Sequence, residues 1–345
     1  MKLKELCSFY TGTGFPKEYQ GLNAGDYPFY KVSDVSDTIS RNSILIDEAH
    51  NYINESILNV IKGKLLPKNT VIFAKIGEAL KLNRRAITTR VSVIDNNLMG
   101  IKPNEKLIDL YYFYYFMKRI DLVHYSESTT LPSVRKSSIE NIEIKLLPLW
   151  EQRKKSLLIL RLESIIAKKK DLMNSLDELI KSRFVEMFGD ITGKKLIYPL
   201  VKWKDVLSIV NGKDYKTVLI NNGGYPVYGS GGIIARASDF ICPAGSVIIG
   251  RKGSINKPIL VEEPFWNVDT AFGLVPGPKV NKYYLYWFCD AFNFNRLNKA
   301  TTLPSLTKKD LLNIIISLPP IEKQTQFEAY CNQINKLKFA IMVYN

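Results

Sequence analysis

The chain has 345 residues, 46% hydrophobic and 23% charged, enough for a sizeable core and for two domains rather than one. A mean hydropathy of −0.07, with no run near the roughly 18 apolar residues of a spanning helix, excludes a membrane-embedded fold, and four scattered cysteines with two histidines in no ligand-like spacing exclude a zinc site. Forty-eight Lys and Arg against 33 Asp and Glu leave a net charge of +15, which attracts polyanions, nucleic acid first.

The opening MKLKELCSFY has no apolar signal core, so a cytoplasmic chain with free thiols is expected. Residues 1–149 read as a globular domain, rich in β-branched and aromatic residues and punctuated by Gly and Pro. Within it Val71–Ala74 is a short apolar run between turn signals, the pattern of a buried strand, and Leu110 to Met117 is an aromatic-rich helix. TTLPS at 129–133 precedes a short helix capped by Ser133, then an apolar strand ending at Pro148. Residues 150–188 form a spacer helix without Gly or Pro after Glu151. Its stripe Leu158, Leu162, Ile165, Lys169, Leu172, Leu176, Leu179 alternates steps of four and three, a heptad seam with one polar break.

Residues 189–320 read as a second globular domain. Val247–Ile249 is its buried strand and Tyr283 to Phe288 its aromatic helix, and TTLPS returns at 301–305, with Ser305 as the cap and Pro319–Pro320 as the strand end. Residues 321–345 form a distal helix with a seam through Tyr330, Ile334, Leu337, Ile341 and Tyr344, in the register of the first but about four turns shorter.

The second half therefore repeats the first. From Thr129 to Thr301 the offset is 172 residues, and it holds for Ile142 and Ile314, Pro148 and Pro320, Gln152 and Gln324, and Tyr111–Tyr112 and Tyr283–Tyr284. LLPKNTVIFAKIG at 65–77 matches ICPAGSVIIGRKG at 241–253, and Tyr27–Pro28 with Tyr30 matches Tyr225–Pro226 with Tyr228. The fold class is α/β (mixed α+β), a tandem duplication of a globular domain plus a long helix whose equivalent seams can pack together.

This arrangement resembles the specificity subunit of type I restriction–modification enzymes. The resemblance rests on TTLPSVRKSSIENIEIKLLPLWEQ at 129–152, TTLPSLTKKDLLNIIISLPPIEKQ at 301–324, KSRFVEMFGD at 181–190 and GRKGSIN at 250–256, and it spans essentially the whole chain. It implies two target-recognition domains that each read half of a bipartite duplex DNA site, and two helices packed as an antiparallel coiled coil that sets their spacing. It also implies two docked methyltransferase subunits carrying S-adenosylmethionine, and restriction subunits that join them, with ATP and Mg bound there too and no cofactor on this chain. The shorter second helix departs from a symmetric pattern.

The residues supply no catalytic site. There is no Asn/Asp-Pro-Pro-aromatic turn for amino methylation and no Gly-Lys-Ser/Thr loop. Glu143-Ile-Lys145 matches the short end of a nuclease motif, but Ile315-Ile316-Ser317 in the second copy keeps neither charge. YGSGG at 228–232 reads as a turn that brings backbone amides close to a ligand such as phosphate. Candidate DNA contacts are Lys75, Lys81, Arg84 and Arg85 after the first buried strand, and Arg251, Lys252 and Lys257 after the second, since Arg can bond a guanine edge bidentately while Lys neutralises phosphate. Thr130, Arg135 and Lys136, with Thr302, Lys308 and Lys309, surround the start of the short helix, where free amides suit a phosphate. Tyr30 and Tyr228 are surface stacking candidates, whereas Tyr111 to Phe116 read as core. A self-contained nuclease or methyltransferase with an unfamiliar site, and a duplicated protein- or carbohydrate-binding module, stand as alternatives.

Overall fold

The computed structural model describes residues 1–126, 132–191, 197–298 and 304–343. It divides into two compact units, Met1–Lys168 and Lys169–Asn345. Unit 1 opens with α1 (Leu3–Leu6), β1 (Cys7–Thr11), β2 (Tyr27–Tyr30), α2 (Val32–Ser40), β3 (Leu45–Ile46), β4 (Tyr52–Ile53) and α3 (Glu55–Val60). It continues with β5 (Val71–Ala74), α4 (Glu78–Lys81), β6 (Arg85–Thr88), β7 (Val93–Ile94), β8 (Leu98–Pro103), α5 (Leu110–Arg119), α6 (Lys136–Glu140) and the first half of α7 (Leu149–Phe188).

Two sheets organise this unit, β1-β8-β5-β6-β3 and β4-β2-β7. β5 is apolar at every position because it lies between β8 and β6 with both faces covered, and all four of its residues are buried. α5 starts at Asp109, whose carboxylate accepts the Tyr112 N–H at 2.9 Å, and buries Phe113, Tyr114, Tyr115 and Met117 against the sheet. Each large ring removed from water contributes about 1.5–3 kcal/mol.

The second half of α7 opens unit 2, followed by β9 (Leu200–Lys202), β10 (Leu207–Asn211), β11 (Leu219–Ile220), β12 (Tyr225–Gly229), β13 (Gly232–Ala237) and β14 (Ser246–Gly250). Then come β15 (Ile259–Val261), β16 (Trp266–Asn267), β17 (Ala271–Pro276), α8 (Lys282–Ala291), α9 (Lys308–Leu312), β18 (Ile315–Ser317) and α10 (Ile321–Val343). The order β10-β17-β14-β15 repeats β1-β8-β5-β6, and the parallel pair β12–β16 repeats β2–β7.

Three sequence expectations need correction. The short helices are not capped by Ser133 or Ser305: α6 has Arg135 at its N-cap, and α9 has Thr307, whose hydroxyl accepts the Asp310 N–H at 3.1 Å. The apolar strand before the helix forms in the second copy as β18, paired with β9, but in the first copy Met1–Leu3 stands in the place of β9 and pairs through an isolated bridge from Glu143 to Lys2, flanked by the Ile144 N–H to the Met1 carbonyl at 2.9 Å and the Leu3 N–H to the Ile142 carbonyl at 3.0 Å.

The third concerns the helical seam. Leu158, Leu162, Ile165, Leu172, Leu179 and Leu337 are exposed, Leu176, Tyr330 and Ile341 are half-buried, and Ile334 is buried. Within unit 2 the buried line on α7 runs Leu176, Ile180, Phe184, Phe188, against Phe327, Cys331 and Ile334 of α10. Phe184 and Phe188 each meet the Phe327 ring, at 5.5 and 5.4 Å, while Asp177 pairs with Lys338, so the two helices run antiparallel. The aromatic pair sets this line because it also packs on Tyr284 of α8, at 5.6 and 4.9 Å, a wider face than a two-helix seam. Tyr344 lies outside the described residues.

Candidate nucleic-acid interface

The chain leaving β5 is held by backbone hydrogen bonds. The Lys75 N–H donates to the Asn97 carbonyl at 2.9 Å, the Lys75 carbonyl accepts the Val134 N–H at 2.9 Å, and the Gly77 N–H donates to the Pro132 carbonyl at 2.8 Å. After β14 the same set recurs: Arg251 N–H to Thr270 carbonyl at 2.8 Å, Leu306 N–H to Arg251 carbonyl at 2.9 Å, and Gly253 N–H to Pro304 carbonyl at 3.0 Å. Gly77 and Gly253 sit at φ 74° and 80°, which a side chain would strain. The Ser133 and Ser305 amides are tied down as well, to Ser126 Oγ at 2.9 Å and Asn298 Oδ1 at 3.0 Å. Pro132–Val134 and Pro304–Leu306 therefore brace a basic loop in each unit, with Lys75 and Arg251 at one position.

A second shared element lies next to this loop. A Cβ at Gly12 would collide with the Asp95 carbonyl, and one at Gly212 with the Val268 carbonyl, so the chain leaving β1 or β10 crosses the turn before β8 or β17 in direct backbone contact. The Asp95 and Val268 amides donate to the carbonyls of Tyr30 and Tyr228, at 2.9 and 3.0 Å. Exposed Lys213, absent from the sequence-based candidates, is delivered here through its amide bond to the Asn267 carbonyl at 2.9 Å. The match of Gly12-Thr13 to Gly212-Lys213 was the available signal.

Most of the candidate side chains reach solvent. Arg251 is half-buried with its guanidinium 5.7 Å from the centre of the Phe272 ring, and Lys252 and Lys257 are exposed. A guanidinium held on an aromatic face loses little freedom when its N–H groups bond a base edge. Lys75 and Arg84 are half-buried. Neither they nor Arg251, Lys252 and Lys257 form an ion pair among the described residues. Lys81 pairs with Glu78 at 2.7 Å and Lys136 with Glu140 at 3.4 Å, which reduces the charge each offers. Arg135 and Lys136 are brought to the Lys75 loop by the Val134 bond, and Lys308 and Lys309 to the Arg251 loop by the Leu306 bond. Thr130 and Thr302 lie outside the described residues.

Two candidates are excluded by burial. Tyr30 is fully buried, its hydroxyl donates to the Ile46 carbonyl at 3.2 Å, and burial pushes the phenol up to about 12. Its counterpart Tyr228 keeps an exposed part, edge-on to Phe265 at 5.5 Å. Arg85 is only 2% exposed and donates to the Asn83 carbonyl at 2.8 Å and the Ile120 carbonyl at 2.9 Å, the latter at the C-terminal end of α5. Burial pulls its guanidinium down to about 10. Arg85 is therefore a helix-end cap rather than a DNA contact.

Among the described residues no group of three or more His, Cys, Asp or Glu is arranged for a metal ion, and no helix is long and apolar enough to cross a membrane. The model for the type I restriction modification DNA specificity domain matches residues 1–178 and 198–341. The chain is 23% identical over 362 residues to the MjaVIII type I restriction enzyme specificity subunit of Methanocaldococcus jannaschii, covering 91% of this chain and 80% of that protein. It is 25% identical over 167 residues to a type I specificity-subunit relative from Mycoplasma pneumoniae, covering 44% of this chain and 55% of that protein, so it spans about half that relative's length. In fold it resembles the crystal structure of the type I restriction–modification S subunit from M. genitalium, with TM-score 0.63, 14% identity and coverage of 100% and 92%. A chain from a structure of the type I restriction–modification system gives TM-score 0.56, 18% identity and coverage of 99% and 92%. With both copies of the repeat inside the matched residues, the chain belongs to the type I restriction–modification DNA specificity family.

Proposed function

We propose that the chain reads a bipartite duplex DNA target, one half through each unit, and scaffolds partner subunits that carry the chemistry. The observation that supports this best is the duplicated basic loop, in which Lys75 and Arg251 hold one backbone position through matching hydrogen bonds. A rigid loop of this kind holds a base-reading side chain better than a free one. The difference between the two residues fits different half-sites, a flat bidentate donor in one and a point charge in the other.

The chain's part is recognition. The partners in this reading are two methyltransferase subunits that bring S-adenosylmethionine, and restriction subunits that bring ATP and Mg. Co-expression with the modification subunit, followed by mapping of methylated positions, tests the reading. It expects two short sequences separated by unread bases, and a continuous or absent consensus would defeat it.

A further inference from the structure

Both units bring an equivalent strand to Tyr30 or Tyr228 and part there. After Tyr30 the chain enters α2. After Tyr228 it forms a hairpin between β12 and β13, with Tyr228 opposite Ile233 and Gly229 opposite Gly232, leaving Ser230 and Gly231 as the turn. The hairpin adjoins the Arg251 loop, because the turn at 268–270 serves both. The Val268 N–H donates to the Tyr228 carbonyl, and the Thr270 carbonyl accepts from both Arg251 and Lys252, at 2.8 and 3.2 Å.

Two features of the tip are not explained by the fold. A Cβ on Gly231, which is exposed, would meet nothing within 4 Å, whereas Gly229 is buried and one there would touch Ile234 at 3.7 Å and Val268 at 3.9 Å. Gly231 does not have positive φ, so it need not be glycine for its own conformation. Beside it Ile233 and Ile234 are 55% and 54% exposed, an uncovered apolar pair at the end of a two-stranded ribbon. Bare backbone suits close approach of a ligand, and the flanking Lys213, Arg251 and Lys252 make a polyanion the complementary one.

We propose that the tip Gly229–Ile234 enters the major groove of the half-site read by unit 2. That groove is about 12 Å wide and admits a two-stranded ribbon. Gly231, exposed at the turn, lets the backbone meet the phosphates. The register shift between Val227 and Tyr228 leaves Ile234 as the extra residue of a bulge beside Ile233, and this exposed pair meets base edges, thymine methyls above all. This assignment rests on the DNA-reading function proposed above.

The test is selection from a randomised duplex pool by the full chain with its modification subunit, as wild type, as the double variant Ile233→Ser with Ile234→Ser, and as Gly231→Val. The serine variant is expected to lose discrimination at one or two base positions of one half-site, about tenfold each, with the other half-site unchanged. Gly231→Val fills open space in the free protein, so it should unfold at the wild-type temperature yet bind the wild-type target about tenfold more weakly. Unchanged selection and affinity in both variants, or equal loss at both half-sites, overturns the hairpin assignment alone. A wild-type chain that selects no bipartite sequence overturns the parent reading and the assignment with it.

Discussion

Gln152 and Gln324, 172 residues apart in sequence, make the same three hydrogen bonds from the first turns of α7 and α10. Gln152 Oε1 accepts the Asp109 N–H at 2.9 Å while its amide donates to the carbonyls of Leu107 and Leu147, at 3.1 and 2.7 Å. Gln324 Oε1 accepts the Asn281 N–H at 2.8 Å while its amide nitrogen donates to the carbonyls of Lys279 and Pro319, at 3.0 and 2.8 Å. Both side chains are fully buried, so each glutamine fixes the start of a long helix to the start of an aromatic helix within its own unit.

Gln152→Ala is therefore expected to leave three partly buried backbone groups without this partner, at a cost of about 1–3 kcal/mol. Hydrogen exchange should rise at Asp109 and leave Asn281 unchanged, with the reverse for Gln324→Ala. Equal exchange at both sites in either variant would mean that the glutamines do not act locally.

Arg85→Ala should destabilise unit 1 by about 3 kcal/mol, since it leaves the Asn83 and Ile120 carbonyls short of a donor and opens space under α5. Where the variant stays folded, its affinity for duplex DNA should match wild type. A tenfold weaker affinity in a folded Arg85→Ala protein would return this residue to the interface.

Arg251→Ala should relax one base position in one half-site, costing about 1–3 kcal/mol of discrimination there. Lys75→Ala should weaken binding across sequences and reduce the salt slope by about one. For the wild type, about six phosphate contacts imply a fall in affinity on the order of a thousandfold between about 50 and 200 mM salt. A flat salt response argues for a protein or carbohydrate ligand instead.

The thiols should be unreactive in the folded chain. Cys242, Cys289 and Cys331 are buried and Cys7 is half-buried, and burial pushes the Cys7, Cys242 and Cys331 thiols up to about 12. Because the thiolate is the reactive form, a disulfide reagent at pH 8 should label none of the four rapidly without denaturant and all four with it. Rapid labelling of Cys331 in the native chain would mean that α10 does not pack as described.

The duplication was legible because Pro132–Val134 and Pro304–Leu306 brace equivalent loops, and β5 was legible because a strand covered on both faces must be apolar throughout. Tyr30 and Tyr228 look alike in sequence, but α2 and β3 bring Val35 and Ile46 over the first of them and bury it. Arg85 follows a turn and reads as a loop residue, yet it starts β6 and folds back on the end of α5. On α7 the leucine stripe suggested a two-helix seam, but Phe184 and Phe188 fill the larger space beside α8 and rotate the buried line away from Leu172 and Leu179. Periodicity reports which faces are apolar, not which neighbour covers them.

The central claim is that two half-sites are read by units joined through one helix, and a heptad deletion tests it most directly. Residues 165–171 lie between the parts of α7 that enter the two unit cores, and all are exposed or half-exposed. Deleting them keeps the helical phase within about 20° and shortens the rod by about 10 Å, close to three base pairs of duplex. Methylated positions would be mapped in cells carrying the modification subunit with either the wild-type or the shortened chain. The account predicts the same two half-sequences in both, with an unread gap about three base pairs shorter in the variant. A shortened chain that still directs methylation across the wild-type gap would contradict it.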